Sequence, residues 1–435
     1  MALDGQGTFV GFGFGPIQAG LFALEAYRSG AYRHLVIAEI APEIVAALRG
    51  ATGKYTINIA YPDRVEVVRI GPVRAENPAV AADRSRLVEA VAAAHEIATA
   101  VPTVRAYKTP GPASLHHILA EGLQRKAALG GPRALVYAAE NATHAAAHLR
   151  AAVMEELNEA ERAAVDAHVA FVDTVIGKMS GIMSPPQDLA PVTPGGDRAF
   201  LVEDFNRILI SRPDFGPGAP PFDRGIRTFI EKDDLLPFEE AKLYGHNAVH
   251  ALAAYLGRIV GLTTLDQLPA TPGLLAFLRA ALLEESGAGL IHRYGEVDPF
   301  FTPHAYAAAA DDLLARMVNP HLRDTVARVG RDPARKLDWD DRLIGAMRLA
   351  LEAGVTPHRY ALGVAAALDA LDPQADPGIL LPARWGAAQP DPGWVQTLLG
   401  LVHTAVRRLA AWRGAGCPDL SAWWAAQVAP VPSGL

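Results

Sequence analysis

At 435 residues the chain exceeds the roughly 250–300 residues at which single hydrophobic cores stop growing, so two domains are expected. Hydrophobic residues at 50% and charged residues at 20% give an ordinary globular balance, and a net charge of -7 with no stripe of Lys and Arg among aromatics argues against nucleic acid as a partner. Cys417 is the sole cysteine, which excludes an intramolecular disulfide and any multi-cysteine zinc site and fits a reducing, cytoplasmic setting.

The N-terminal MALDGQGTF has no basic region followed by an apolar one, and no stretch reaches the ~18 uninterrupted apolar residues of a membrane span, so a soluble protein is expected. Residues 8–13 read as a buried strand running into glycines. Residues 16–29 then carry apolar side chains at helical spacing and stop at Gly30. The turn between them, Gly13-Phe14-Gly15-Pro16-Ile17-Gln18, supplies the first two glycines of a G-x-G-x-x-G fingerprint and puts Gln18 at the third. Gly13 suits the tight turn, Gly15 lets backbone approach a pyrophosphate, and the helix behind them points its amides at that anion. Gly13, Gly15, Pro16 and Ile17 are therefore candidate cofactor-binding residues.

The second strand, His34–Ile40, ends with Glu39 where a carboxylate can accept hydrogen bonds from ribose hydroxyls. No Arg or Lys follows within 40–44, which favours NAD over NADP. A strand pair near 55–60 and 64–70, a helix over 83–94, a strand at 96–101, a helix over 113–129, a strand at 133–140, a helix over 142–157 and a strand at 168–176 predict a mainly parallel, doubly wound sheet. Strands near 199–211 and 225–231 are expected to extend its edge. The intervening RPDFGPGAPPFDRG (212–225) is too rich in Pro and Gly to be regular, and strand signals vanish from Asp234 onward. The expected fold is an α/β Rossmann-type domain over 1–233 followed by an all-helical substrate-binding and catalytic domain over 234–435. Helices at 394–412 and 420–428, both containing Trp, read as packing elements.

In the helical half, the segment 238–261 carries Lys242, Asn247 and His250 on an otherwise apolar helix, within an arc of about 140° if the helix is regular. A desolvated lysine, a carboxamide and an imidazole are what metal-free oxidation of an alcohol needs: a proton acceptor and donors to a developing alkoxide. Each also has an ordinary structural reading, as a snorkelling lysine or a packed core residue. His246 and His250 stand at i and i+4, but Asn247 occupies the place of the glutamate in H-E-x-x-H and no third ligand is evident, so no metal site is expected there.

KLYGHNAVHALAAYLG is similar to the K-x-x-x-x-N-x-x-H signature of the polyol-specific long-chain dehydrogenases, the family of the mannitol dehydrogenases and mannitol-1-phosphate 5-dehydrogenases. The resemblance implies an NAD-dependent oxidoreductase with Lys242 as general base, Asn247 as an alkoxide-binding carboxamide and His250 as a substrate-binding or orienting group. AEN at 139–141 resembles the family's strand-end E-N motif and implies Asn141 as a second carboxamide near the nicotinamide. VARVGRDPARKL resembles another family segment, in which Arg328 and Lys336, eight positions apart, are implied as substrate-binding cations. VDTVIGKMSG (172–181) departs from the family pattern, as does Ser211, which falls where many members carry an acidic residue. The expected reaction interconverts a polyol or polyol phosphate, of the mannitol-1-phosphate/fructose-6-phosphate kind, and a ketose. A sugar-acid oxidoreductase and a non-catalytic NAD-binding sensor are the alternatives, and a monomer or homodimer is expected.

Overall fold

A computed structural model describes residues 5–428, which divide into two compact units between Leu236 and Pro237. Among the described residues no helix is long and apolar enough to cross a membrane.

The first unit has twelve strands: β1 (Gly7–Phe12), β2 (Tyr32–Ala38), β3 (Tyr55–Ala60), β4 (Val65–Ile70), β5 (Val73–Glu76), β6 (Glu96–Thr99), β7 (Ala134–Ala138), β8 (Val169–Val175), β9 (Ser180–Met183), β10 (Ala199–Glu203), β11 (Leu209–Ser211) and β12 (Ile230–Lys232). The eight-stranded main sheet runs β12-β11-β8-β7-β6-β1-β2-β5. From β5 to β8 every pairing is parallel. This is the doubly wound order, which reverses direction between β1 and β6. The buried runs of β1, β6 and β7 suit a sheet covered on both faces. Strand periodicity divides them cleanly: Phe9, Leu35 and Ile37 join the core with the first helix, while Val10, Val36 and Ala38 pack with Leu87, Ile118, Leu123 and Leu149 from helices on the other face.

The expected edge extension is only partly what forms. Residues 199–211 split between two sheets: β10 joins a separate four-stranded sheet, β4-β3-β10-β9, while β11 runs antiparallel to β8 and carries β12 at the edge. Periodicity marks such residues as strand but does not name the neighbour, and β10, buried along its length, has no polar face to indicate one.

The second unit is helical, and among its described residues the sole bridge between extended segments is Thr264 with Thr325. At its centre the Asn247–Ile259 helix is buried over most of its circumference, packed against the Val326–Gly330, Arg342–Glu352 and His358–Leu371 helices. Trp412 and Trp424 are buried on the two C-terminal helices, Trp424 edge-on to Phe277 at 5.2 Å.

Candidate active site

In the first unit the parallel register brings the carboxyl ends of β1, β2, β6 and β7 to one edge, at the reversal point where such sheets hold ligands. Gly13 leaves β1 with φ +85, its amide donating to the Ala38 carbonyl at 2.9 Å; a Cβ there would lie 2.7 Å from the Ala100 carbonyl oxygen, so glycine is required on both counts. A Cβ on Gly15 would meet nothing within 4 Å, which leaves that backbone open to close approach. Pro16 and Ile17, both half-buried, open the helix that continues through a π-turn at Gln18–Phe22.

Gln18, in the third glycine position, is fully buried beneath this turn, and neither amide atom has a hydrogen-bond partner. It fits because Gly11 has no side chain: a Cβ on Gly11 would lie 2.2 Å from Gln18 Nε2. Glu39, buried just beyond β2, has Oε1 held by the Ala41 amide at 2.8 Å, which fixes the carboxylate at the sheet edge. The open glycine turn, the helix behind it and this fixed carboxylate fit a dinucleotide.

At the end of β7, buried Glu140 anchors the strand terminus. It accepts from Val101 N at 3.0 Å, from Thr99 Oγ1 at 2.9 Å and from the Tyr107 hydroxyl, and burial raises its pKa against those donors. The anchor leaves the next residue, Asn141, exposed at that edge. The departures at 172–181 and Ser211 make hydrogen bonds within the first unit. Lys178 is buried, its amine donating to the carbonyls of Glu203 and Phe205 and to Asn206 Oδ1, and burial lowers its pKa to about 8. Ser211 Oγ accepts from the Asp173 amide at 3.0 Å.

In the second unit the lysine helix is irregular. Leu236–Glu240 is α-helical, Ala241–His246 forms a π-turn and Asn247–Ile259 is α-helical again. The Asn247 amide donates to the Lys242 carbonyl, closing an i→i+5 ring. A regular α-helix would set residues five apart about 140° around the axis. The wider π-turn narrows that angle and sets the Asn247 backbone position more nearly over that of Lys242.

Lys242 is half-buried, and burial pushes its pKa down to about 8; Glu239 opposes the shift and Arg342 reinforces it. His246, on the same turn, is held well below its usual pKa by burial and by the neighbouring His250 and cationic groups. One turn on, His250 Nε2 lies 3.3 Å from Asp324 Oδ2. Asp324, itself buried, also accepts from Arg328 Nε at 2.8 Å and Nη2 at 2.6 Å. Burial alone would raise the Asp324 carboxyl, but His250 and Arg328 hold it below its usual range.

The Lys242, Asn247 and His250 set is thus gathered on one helix, and Arg328 reaches His250 through Asp324. Lys336 has a different environment: it is buried, donates to the Arg331 carbonyl and is lowered to about 8 by burial and by Arg342 and Arg335. Sequence reading missed Asp324, whose signal was its i, i+4 spacing from Arg328. It also missed Arg342, whose charge acts on Lys242, His246 and Lys336. No local signal marked Arg342, because those neighbours come from other segments.

Family models match both halves of the chain: the mannitol dehydrogenase Rossmann domain over residues 8–223 and the mannitol dehydrogenase C-terminal domain over 234–381. A mannitol-1-phosphate 5-dehydrogenase from Bacillus licheniformis is 34% identical over 370 residues, covering 84% of this chain and 89% of that protein. Among solved structures, a D-sorbitol dehydrogenase in substrate-free form superposes with TM-score 0.73 at 17% identity, covering 95% of both chains. The Pseudomonas fluorescens mannitol 2-dehydrogenase in ternary complex with NAD and D-mannitol superposes with TM-score 0.66 at 17% identity, covering 99% of this chain and 96% of the other. At those identities the structural likeness establishes the fold.

Proposed function

Since the chain belongs to the mannitol dehydrogenase family and is by class an NAD-dependent polyol dehydrogenase, we propose that it interconverts a hexitol phosphate of the mannitol 1-phosphate kind and the corresponding ketose phosphate, with Lys242 as general base and no catalytic metal. The observation that carries the reading is the π-turn that joins Asn247 to Lys242, a lysine whose pKa burial lowers to about 8. Bound NAD supplies the hydride acceptor, held by the Gly13–Ile17 turn and Glu39.

The remaining steps fall to side chains. Neutral Lys242 accepts the hydroxyl proton, and the Asn247 carboxamide donates to the oxygen as it gains charge. His250, beside Asp324, binds a substrate hydroxyl. Asn141, at the carboxyl end of β7, is in this reading a carboxamide near the nicotinamide. Arg328 and Lys336 serve the distal polar end of the substrate, where a phosphate would be met by charge-assisted hydrogen bonds. The 34% identical mannitol-1-phosphate 5-dehydrogenase favours the phosphorylated substrate over free mannitol.

A substrate screen with NAD, following absorbance of the reduced nicotinamide, tests the proposal. kcat/KM is expected to be highest for mannitol 1-phosphate, lower for mannitol and lowest for aldonates, with turnover unchanged by a chelator during the assay. Preference for an aldonate would move the assignment to the sugar-acid enzymes. Absence of turnover with every substrate, together with tight NAD binding, would make the protein a sensor.

A further inference from the structure

The first unit contains a cluster that the polyol chemistry does not use. His116 and His117 lie in the first turn of the Leu115–Ala128 helix, and Glu156 directly follows the Ala145–Glu155 helix. The three side chains present ligand atoms within 4.8 Å of one another. His116 Nε2 is 3.5 Å from Glu156 Oε1, and His117 Nδ1 is 3.2 Å from Glu156 Oε2. The imidazoles lie side by side, with ring centroids 4.0 Å apart and planes at 33°.

The surroundings of His116 give this cluster its meaning. The residue is buried, and its Nδ1 sits 3.0 Å from the Tyr107 carbonyl oxygen and 2.6 Å from Ser114 Oγ. Ser114 Oγ in turn donates to the same carbonyl at 3.1 Å and accepts from the Thr109 amide at 3.0 Å. A carbonyl can only accept, so the arrangement is satisfied with the proton on Nδ1. That tautomer leaves the Nε2 lone pair of the buried imidazole facing the partly exposed Glu156 carboxylate, acceptor against acceptor. A ring nitrogen fixed by a carbonyl on its far side, with the near nitrogen aimed at a carboxylate, is the arrangement in which histidine ligates metals.

We propose that His116 Nε2, His117 Nδ1 and the Glu156 carboxylate bind a divalent cation of the zinc type, clipping the start of one helix to the end of another. Two imidazoles and one carboxylate suit a borderline cation better than magnesium or calcium, which require more oxygen ligands. Zn–N and Zn–O bonds of about 2.0–2.2 Å set tetrahedral ligand atoms roughly 3.3–3.5 Å apart. The separations of 3.5 Å to Oε1 and 3.2 Å to Oε2, the two oxygens of the one carboxylate, are close to that spacing. His117 and Glu156 border an open cavity of about 470 Å³, which gives the ion an entry path and room for a water as fourth ligand. The nearby Lys108 is paired with Glu155, and Arg84 with Glu121, so neither cation is left to compete for Glu156. The site is separate from the proposed Lys242 chemistry, which requires no metal.

The test is zinc binding by the chelator-stripped full chain, measured by equilibrium dialysis with metal analysis and by competition with a chromophoric chelator. One zinc per chain is expected. His117→Ala and Glu156→Gln should each weaken binding at least tenfold, and zinc should raise the melting temperature of the wild type but of neither variant. His117 is partly exposed, so its replacement leaves the fold intact and the reading clear. Substoichiometric binding at micromolar zinc, or variants that bind like the wild type, would overturn the proposal.

Discussion

Lys242 acts in this reading because its amine is neutral near pH 8 rather than near the usual 10.5. Alcohol oxidation needs the free amine and ketone reduction the ammonium, so the oxidation rate should rise with pH through about 8 while reduction falls. Lys242→Ala should lose at least ~10²-fold in kcat and lose that pH dependence; near-normal turnover with an unchanged profile would transfer the role to His250. Gln18 offers a test of a different kind, since its two buried amide atoms have no partners. Gln18→Met keeps a similar volume without those atoms and should stabilise the protein by about 1 kcal/mol, a rise of roughly 2–4 °C in Tm. A fall in Tm would show that the amide is satisfied after all.

Two turns decide whether these side chains are usable. Gly245 lies in the π-turn between Lys242 and Asn247, and a Cβ there would come 2.8 Å from the Tyr306 hydroxyl. Gly245→Ala should therefore disturb the turn and lower kcat at least tenfold while leaving the KM for NAD within about twofold, a split that steady-state kinetics resolves. Gly13→Ala should do the reverse. Its positive φ and the approach to Ala100 make any side chain costly, and the affinity for NAD should fall at least tenfold, or ~1.4 kcal/mol. Unchanged NAD binding in Gly13→Ala would remove the turn from the cofactor site.

In this reading cofactor choice rests on residues of the first unit and proton chemistry on residues of the second. Lys242→Ala should accordingly bind NAD as the wild type does when titrated by fluorescence. Cofactor preference should follow Glu39 alone: a 2′-phosphate placed beside this carboxylate would be repelled, so kcat/KM should be higher with NAD than with NADP. Equal efficiency with the two would overturn the role given to Glu39.

The turn proposed to hold the dinucleotide was legible because its requirements are local: a glycine at positive φ and an open backbone are read within a few residues. Alternating strands and helices likewise predicted the parallel sheet, since burial on both faces leaves long apolar runs. The spacing of Lys242, Asn247 and His250 marked the helix proposed to carry the chemistry, although only the tertiary structure revealed the π-turn, which depends on backbone hydrogen bonds that no residue type announces. The partition of β10 and β11 between two sheets, the Asp324 carboxylate beside His250, the Arg342 charge near Lys242 and the facing of His116 towards Glu156 were decided by tertiary structure. Each joins segments distant in the chain, and a sequence specifies which groups are present long before it specifies which of them meet.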